Sequence, residues 1–156
     1  MINTLPKVVI STDGSCDKDG RGGWATAIHY AQGKTFLCGN AEHVTNNRME
    51  LLAAVRGLEK LVDSCRVTLI SDSRYVIDGI QLVDGWIRRG WRNGSGRKVA
   101  NRDLWERIVK VKNKHKIKLH WLKGHAGHVI NEQVDSLAQL MRTLPLQPER
   151  ESVVNN

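Results

Sequence analysis

The period of the apolar pattern changes along the chain, and the order of those changes restricts the fold more than any single motif. Residues 7–13 form a short apolar run, with Val8, Val9 and Ile10 leading into Ser11, Thr12 and Asp13. Gly22–Tyr30 and residues 34–40 are β-like runs separated by Gln32-Gly33, a hairpin turn signal. From residue 46 the period switches to helical, with Met49, Leu52, Ala53, Leu58 and Leu61 on one face. Thr45, Asn46 or Asn47 supplies its N-cap. Arg66–Ser71 reads as a short apolar strand ending at Asp72, and "SRYVIDGI" as a short helix stopped near Gly79. A glycine-rich cationic stretch follows. Next comes an amphipathic helix with Leu104, Trp105, Ile108 and Val111 inward. Lys116–Trp121 alternates like a half-buried strand, and "NEQVDSLAQLM" is a last helix. The order βββ-α-β-α-α-β-α predicts an α/β fold, a mixed sheet with helices packed on its faces.

Asp13 and Asp72 both end apolar strands, where open α/β sheets gather their sites. Glu50 reads as lying in the first turn of its helix, and Asp135 near the start of the last one. Singly, each has a plain explanation in turn formation, capping or the helix dipole. Together they pose an electrostatic problem, because several carboxylates at one sheet edge repel unless a divalent cation lies between them. Hard oxygen ligands without cysteine point to Mg²⁺ or Mn²⁺ rather than zinc. Spacing does not establish that the four converge.

At 156 residues the chain is long enough for one domain with a substantial core. No apolar run approaches the roughly 18 residues of a membrane span, and "MINTLPK" has no leader-like apolar region, so no membrane partner is expected. Cys16, Cys38 and Cys65 are odd in number and without CxxC spacing, which fits a reducing, cytoplasmic setting. The net charge of +8 suggests a polyanionic partner. Half of the 24 Lys and Arg residues lie within residues 86–118, against two acids, Asp103 and Glu106. That is a solvated helix face or a docking surface for phosphates.

The blocks "STDGSC", "TNNRMELLAA", "SDSRYV", "GWIRRGW", "DLWERI", "WLKGHAGH" and "NEQVDSLA" occur in the order of the type 1 ribonucleases H. The chain resembles the bacterial ribonuclease HI branch over residues 8–141. The resemblance implies a ribonuclease H-like fold: a five-stranded mixed sheet, strands one to three antiparallel, flanked by helices on both faces. It implies a catalytic domain at 1–143, including a basic protrusion at about 82–100, and 144–156 reads as a disordered tail. The implied activity is metal-dependent endonucleolytic cleavage of the RNA strand in RNA–DNA hybrids. Two ions, Mg²⁺ with Mn²⁺ as a substitute, would serve in-line attack, leaving 5′-phosphate and 3′-hydroxyl ends.

Carried over by motif, the metal-binding carboxylates fall on Asp13, Glu50, Asp72 and Asp135, and the family's mobile histidine on His125. His125 suits proton handling or product release. The resemblance places Cys16 and Asn46, with Asn47 beside them, along the groove where 2′-hydroxyls are read, and Glu50 against a 2′-hydroxyl as well as metal. Thr45 matches a contact to the DNA-strand phosphate. Trp86 would offer an aromatic face to the DNA strand, and Arg88, Arg89 and Arg92 would contact phosphates without reading sequence. Trp91 and Trp105 are expected in the core. The protrusion implies a stand-alone enzyme, and because no exposed apolar stripe argues for a dimer, a monomer is expected.

The chain departs from the family pattern at Asp17–Asp19, at Arg74, at Val129-Ile130, and near Leu82–Val83, where a tryptophan of the protrusion is absent. None of these removes a metal ligand. A non-catalytic hybrid-binding module would be expected to lack a carboxylate, and all four are present. Transposases and resolvases share converging acids but not "KGHAGH" or "NNRMEL".

Overall fold

Alternation along the strands sorts their side chains onto two faces. In β2 (Gly22–Tyr30), Trp24 and Ile28 enter one apolar cluster, while Ala25 and Ala27 enter another. The computed structural model describes residues 4–124 and 127–155, the side chains of 153–155 excepted. The remaining strands are β1 (Lys7–Cys16), β3 (Gly33–Ala41), β4 (Arg66–Ser71), β5 (Lys116–Trp121) and β6 (Arg150–Asn155). The helices are α1 (Asn46–Lys60), α2 (Arg74–Arg88), α3 (Arg102–Lys112) and α4 (Val129–Met141).

The sheet order is β5-β4-β1-β2-β3-β6. β1, β2 and β3 pair antiparallel, with Asp13 opposite Ala25, and β4 lies parallel between β1 and β5. One face carries the larger core, in which Ile10, Trp24, Leu51, Leu58, Leu69, Ile80, Leu104 and Trp105 bring α1, α2 and α3 onto the sheet. The other face is narrower. There Val134, Ala138 and Met141 of α4 cover Ala25, Ala27 and Cys38. Small residues on the sheet let that helix sit close. Burying one large apolar side chain contributes about 1.5–3 kcal/mol, so the broad face dominates stability.

Two expectations are corrected. The sheet has six strands rather than five, and the sixth comes from the segment read as a disordered tail. β6 pairs antiparallel with β3 from Gly33 opposite Asn155 to Cys38 opposite Arg150. Asn40 and Gln147 exchange hydrogen bonds at 2.9 and 2.6 Å just before it, and Lys60 pairs with Glu151 at 2.8 Å. These anchors couple residues about a hundred positions apart, which local composition does not encode.

The second correction is α2, which does not stop near Gly79 but runs to Arg88. Val76, Ile77, Ile80, Val83 and Trp86 keep helical spacing across the glycine and bury their side chains. Gly79 serves packing: a Cβ there would lie 2.1 Å from the Trp105 ring. The start of the presumed irregular protrusion is therefore helix.

Candidate active site

Three chain segments meet where β4 ends beside β1; Asp13, expected at a strand end, lies inside β1, which stays paired with β2 for three more residues to Cys16. Gly14 lets β1 touch α1, since a Cβ at that position would lie 2.3 Å from the Glu50 nitrogen and 2.5 Å from the Met49 carbonyl carbon. This contact brings Glu50 beside Asp13. The Gly14 N–H donates to Glu50 Oε1 at 3.0 Å and to Asp13 Oδ1 at 2.9 Å. Asp72 follows β4 in a turn where the Ser73 N–H donates to Ser71 Oγ at 3.0 Å and Ser73 caps α2 through the Val76 N–H. The Asp72 carbonyl accepts from Trp121 Nε1 at 3.0 Å.

Ligand oxygens of Asp13, Glu50 and Asp72 all lie within 4.8 Å of one another. Asp13 is 2% exposed and Glu50 9%. Glu50 Oε2 is buried with no hydrogen-bond partner. Burial, then a hydrogen bond shared with Asp13, then the negative charge of Asp13 and Asp72, push the Glu50 carboxyl up to about 10. A cluster so costly to ionise fits a divalent cation, which would supply the missing positive charge between the carboxylates. Glu50 is the fifth residue of α1, outside its first turn, so the helix dipole does not account for it.

Asp135 lines the same cleft, which encloses about 510 Å³. It is not part of the three-carboxylate cluster, and its Oδ2 accepts from Gln139 Nε2 at 3.0 Å. It is the seventh residue of α4, well past the helix start. His125 lies outside the described residues.

The expected groove residues divide. Cys16, Asn46 and Asn47 line the cleft. The Cys16 thiol donates to the Val44 carbonyl at 3.1 Å, and burial raises its pKa, which keeps it a neutral donor. Thr45 is the N-cap of α1, its Oγ1 accepting from the Arg48 N–H at 3.2 Å, and it stands outside the cleft lining. Trp86 is 9% exposed and meets Trp105 edge-on at 5.2 Å, so the aromatic face expected for a DNA strand is turned into the core. Trp105 is fully buried and Trp91 packs against the same core, as expected.

Arg88, Arg89 and Arg92 are exposed and none lines the cleft. Arg92 Nη1 donates to the Gly96 carbonyl at 2.9 Å, and Asn93 Oδ1 accepts from the N–H groups of Ser95 and Arg97, which closes the arm. Sequence reasoning passed over Ser15, Ser73, Tyr75 and Arg142, which also line the cleft. Arg142 carried a signal: it lies seven residues after Asp135, on the same helix face.

An RNase H family profile matches residues 6–142. The chain belongs to the ribonuclease H family. It is 46% identical over 136 residues to a ribonuclease H of Erythrobacter litoralis, covering 86% of this chain and 94% of that one. A ribonuclease HI of Caulobacter vibrioides is 46% identical over 135 residues, covering 85% and 91%. The crystal structure of LC9-RNase H1, a type 1 RNase H with the type 2 active-site motif, superimposes with a TM-score of 0.79. It is 30% identical and covers 97% of this chain and 78% of that one. Membership makes this chain an endoribonuclease of a metal-dependent family, and its carboxylate cluster is compatible with holding a metal ion.

Proposed function

We propose that the chain hydrolyses the RNA strand of RNA–DNA hybrids with two Mg²⁺ ions, leaving 5′-phosphate and 3′-hydroxyl ends. The observation that carries this reading is the convergence of Asp13 of β1, Glu50 of α1 and Asp72 just after β4. When bound, the cations supply activation of water and stabilisation of the leaving ribose 3′ oxygen. Asp13, Glu50 and Asp72 would hold them, and Asp135, in the same cleft on α4, would add a further ligand. The buried positions of Asp13 and Glu50 limit competition from water for those oxygens.

Asn46 and Asn47 present amide groups at the cleft edge, where they can hydrogen-bond the 2′-hydroxyls that distinguish RNA from DNA. Arg88, Arg89 and Arg92 hold the DNA-strand phosphates at a distance from the chemistry. Thr45 takes a DNA phosphate while it caps α1. His125 moves a proton during attack or product release, a role resting on its place in "KGHAGH". The enzyme acts as a monomer in the cytoplasm, a setting in keeping with its free cysteines.

The test is cleavage of labelled hybrid, duplex RNA and duplex DNA, each with Mg²⁺ or EDTA. The expected result is cleavage of hybrid RNA alone, with Mg²⁺ alone, and none by Asp13→Asn. Cleavage of duplex DNA, or activity in Asp13→Asn, would refute the proposal.

A further inference from the structure

The cleft that holds four acids also holds two arginines, Arg74 and Arg142, and among the described residues only Arg74 is ion-paired. Arg74 pairs with Asp78 at 3.3 Å and lies 4.7 Å over the Trp121 ring. Arg142, among the described residues, makes no ion pair. Its Nη1 donates to Ser15 Oγ at 2.6 Å. Ser15 lies two residues beyond Asp13 on β1 and pairs in register with Gly23 of β2.

That pairing explains how the end of α4 reaches the cleft. A Cβ on Gly23 would lie 2.1 Å from the Ala138 carbonyl oxygen and 2.9 Å from the Arg142 nitrogen. Only a bare backbone at Gly23 lets the last turn of α4 settle on β2 and place the guanidinium over Ser15. The serine holds one of the five N–H donors of a planar fork. Arg142 lines the cleft together with Cys16 and the carboxylates, and, after the Arg21 N–H hydrogen bond, its charge also lowers the pKa of Asp17.

We propose that Arg142, held in place by Ser15, binds a phosphate of the RNA strand beside the bond that is cut. This rests on the function proposed above. The strand that enters the carboxylate cluster is the strand that is cleaved, and Arg142 lines that same cleft, unlike the arm arginines. A guanidinium grips phosphate bidentately, whereas a lysine acts only as a point charge. Two plainer roles exist for the same cation: offsetting the C-terminal dipole of α4, or offsetting the acidic cluster. Either needs charge alone, and neither depends on substrate.

The test compares wild type, Arg142→Ala and Arg142→Lys on a short hybrid at saturating Mg²⁺, with thermal melting of each protein. A neutral methylphosphonate, carried on a single 2′-deoxy residue, is moved along the RNA strand beside a 2′-deoxy phosphodiester control. Expected are a KM about tenfold higher for Arg142→Ala, the loss of a charge-assisted hydrogen bond, a kcat within about twofold, and an intermediate Arg142→Lys. One neutralised position next to the cut should weaken binding to wild type and cost Arg142→Ala nothing further. Identical penalty patterns in wild type and Arg142→Ala, or a lowered melting temperature with unchanged KM, would overturn the role of Arg142. Absence of hybrid cleavage by wild type would instead overturn the function it rests on.

Discussion

The acidic cleft and the basic arm carry opposite charge, and they are built by opposite rules. The cleft draws Asp13, Glu50 and Asp72 from β1, α1 and the β4–α2 turn into less than 5 Å, mostly out of water. The arm places Arg88, Arg89 and Arg92 at exposed positions within five residues of the chain. Chemistry at one phosphodiester needs convergence, and convergence needs the whole fold. Holding a polyanion needs only a local run of cations. The cleft is therefore brittle toward a single change, and the arm is tolerant of one.

The most severe way to break this contrast is within the cluster. Asp13→Asn, Glu50→Gln or Asp72→Asn should each lower kcat at least about a thousandfold, with KM changed only a few-fold. Asp135→Asn should cost distinctly less, because Asp135 stands outside the three-oxygen cluster. Single-turnover cleavage of a labelled hybrid measures both, and equal losses at Asp13 and Asp135 would place Asp135 inside the cluster.

Trp86 sharpens the boundary of the arm. Its ring belongs to the core, so Trp86→Ala should destabilise the fold by about 3–5 kcal/mol, read by denaturant unfolding. A change in hybrid affinity with unchanged stability would return Trp86 to the substrate surface. The arm itself should respond more gently. Together, Arg88→Ala, Arg89→Ala and Arg92→Ala should raise KM about tenfold at moderate salt and leave kcat within twofold. The slope of log KM against log salt should flatten by roughly 2–3, about 0.9 per phosphate contact. A kcat loss as large as the KM change would mean that the arm takes part in the chemistry.

A further test reads stability against pH. The folded Glu50 carboxyl titrates near 10, above its ordinary 4.5. The native state therefore holds a proton that the unfolded chain gives up. Its contribution to stability is fully present below about 4.5 and is lost as pH rises toward 10. Without divalent cation, the melting temperature should fall from pH 5 to pH 9 more in wild type than in Glu50→Gln. Mg²⁺ should reduce that fall, because the cation takes the place of the proton. Identical pH profiles for the two proteins would remove Glu50 as the source.

How much of this was readable in the residues depended on range. β4 and β5 match the apolar runs because each short strand carries its own pattern, as in Arg66–Ser71. α2 was cut short because Gly79 signals a break locally, and only Trp105, 26 positions later, explains it. β6 was missed because its pairing to β3 and its ion pair with Lys60 join distant segments. Asp13 and Asp72 stood out as acids that follow apolar runs, although β1 continues past Asp13 to Cys16, but their meeting with Glu50 was not visible. That meeting follows from Gly14 lying against α1, and only the resemblance to the family anticipated it. Trp86 misled because the motif that contains it is cationic and exposed, while its own helix position faces inward.

The central claim is that Asp13, Glu50 and Asp72 jointly hold divalent cation. Anomalous scattering from a Mn²⁺-soaked crystal tests it directly. The account predicts a peak about 2.0–2.6 Å from an oxygen of each of the three residues, absent in a Glu50→Gln, Asp72→Asn double variant. A crystal at saturating Mn²⁺ with no peak among those oxygens, in a protein still active on hybrid, would contradict it.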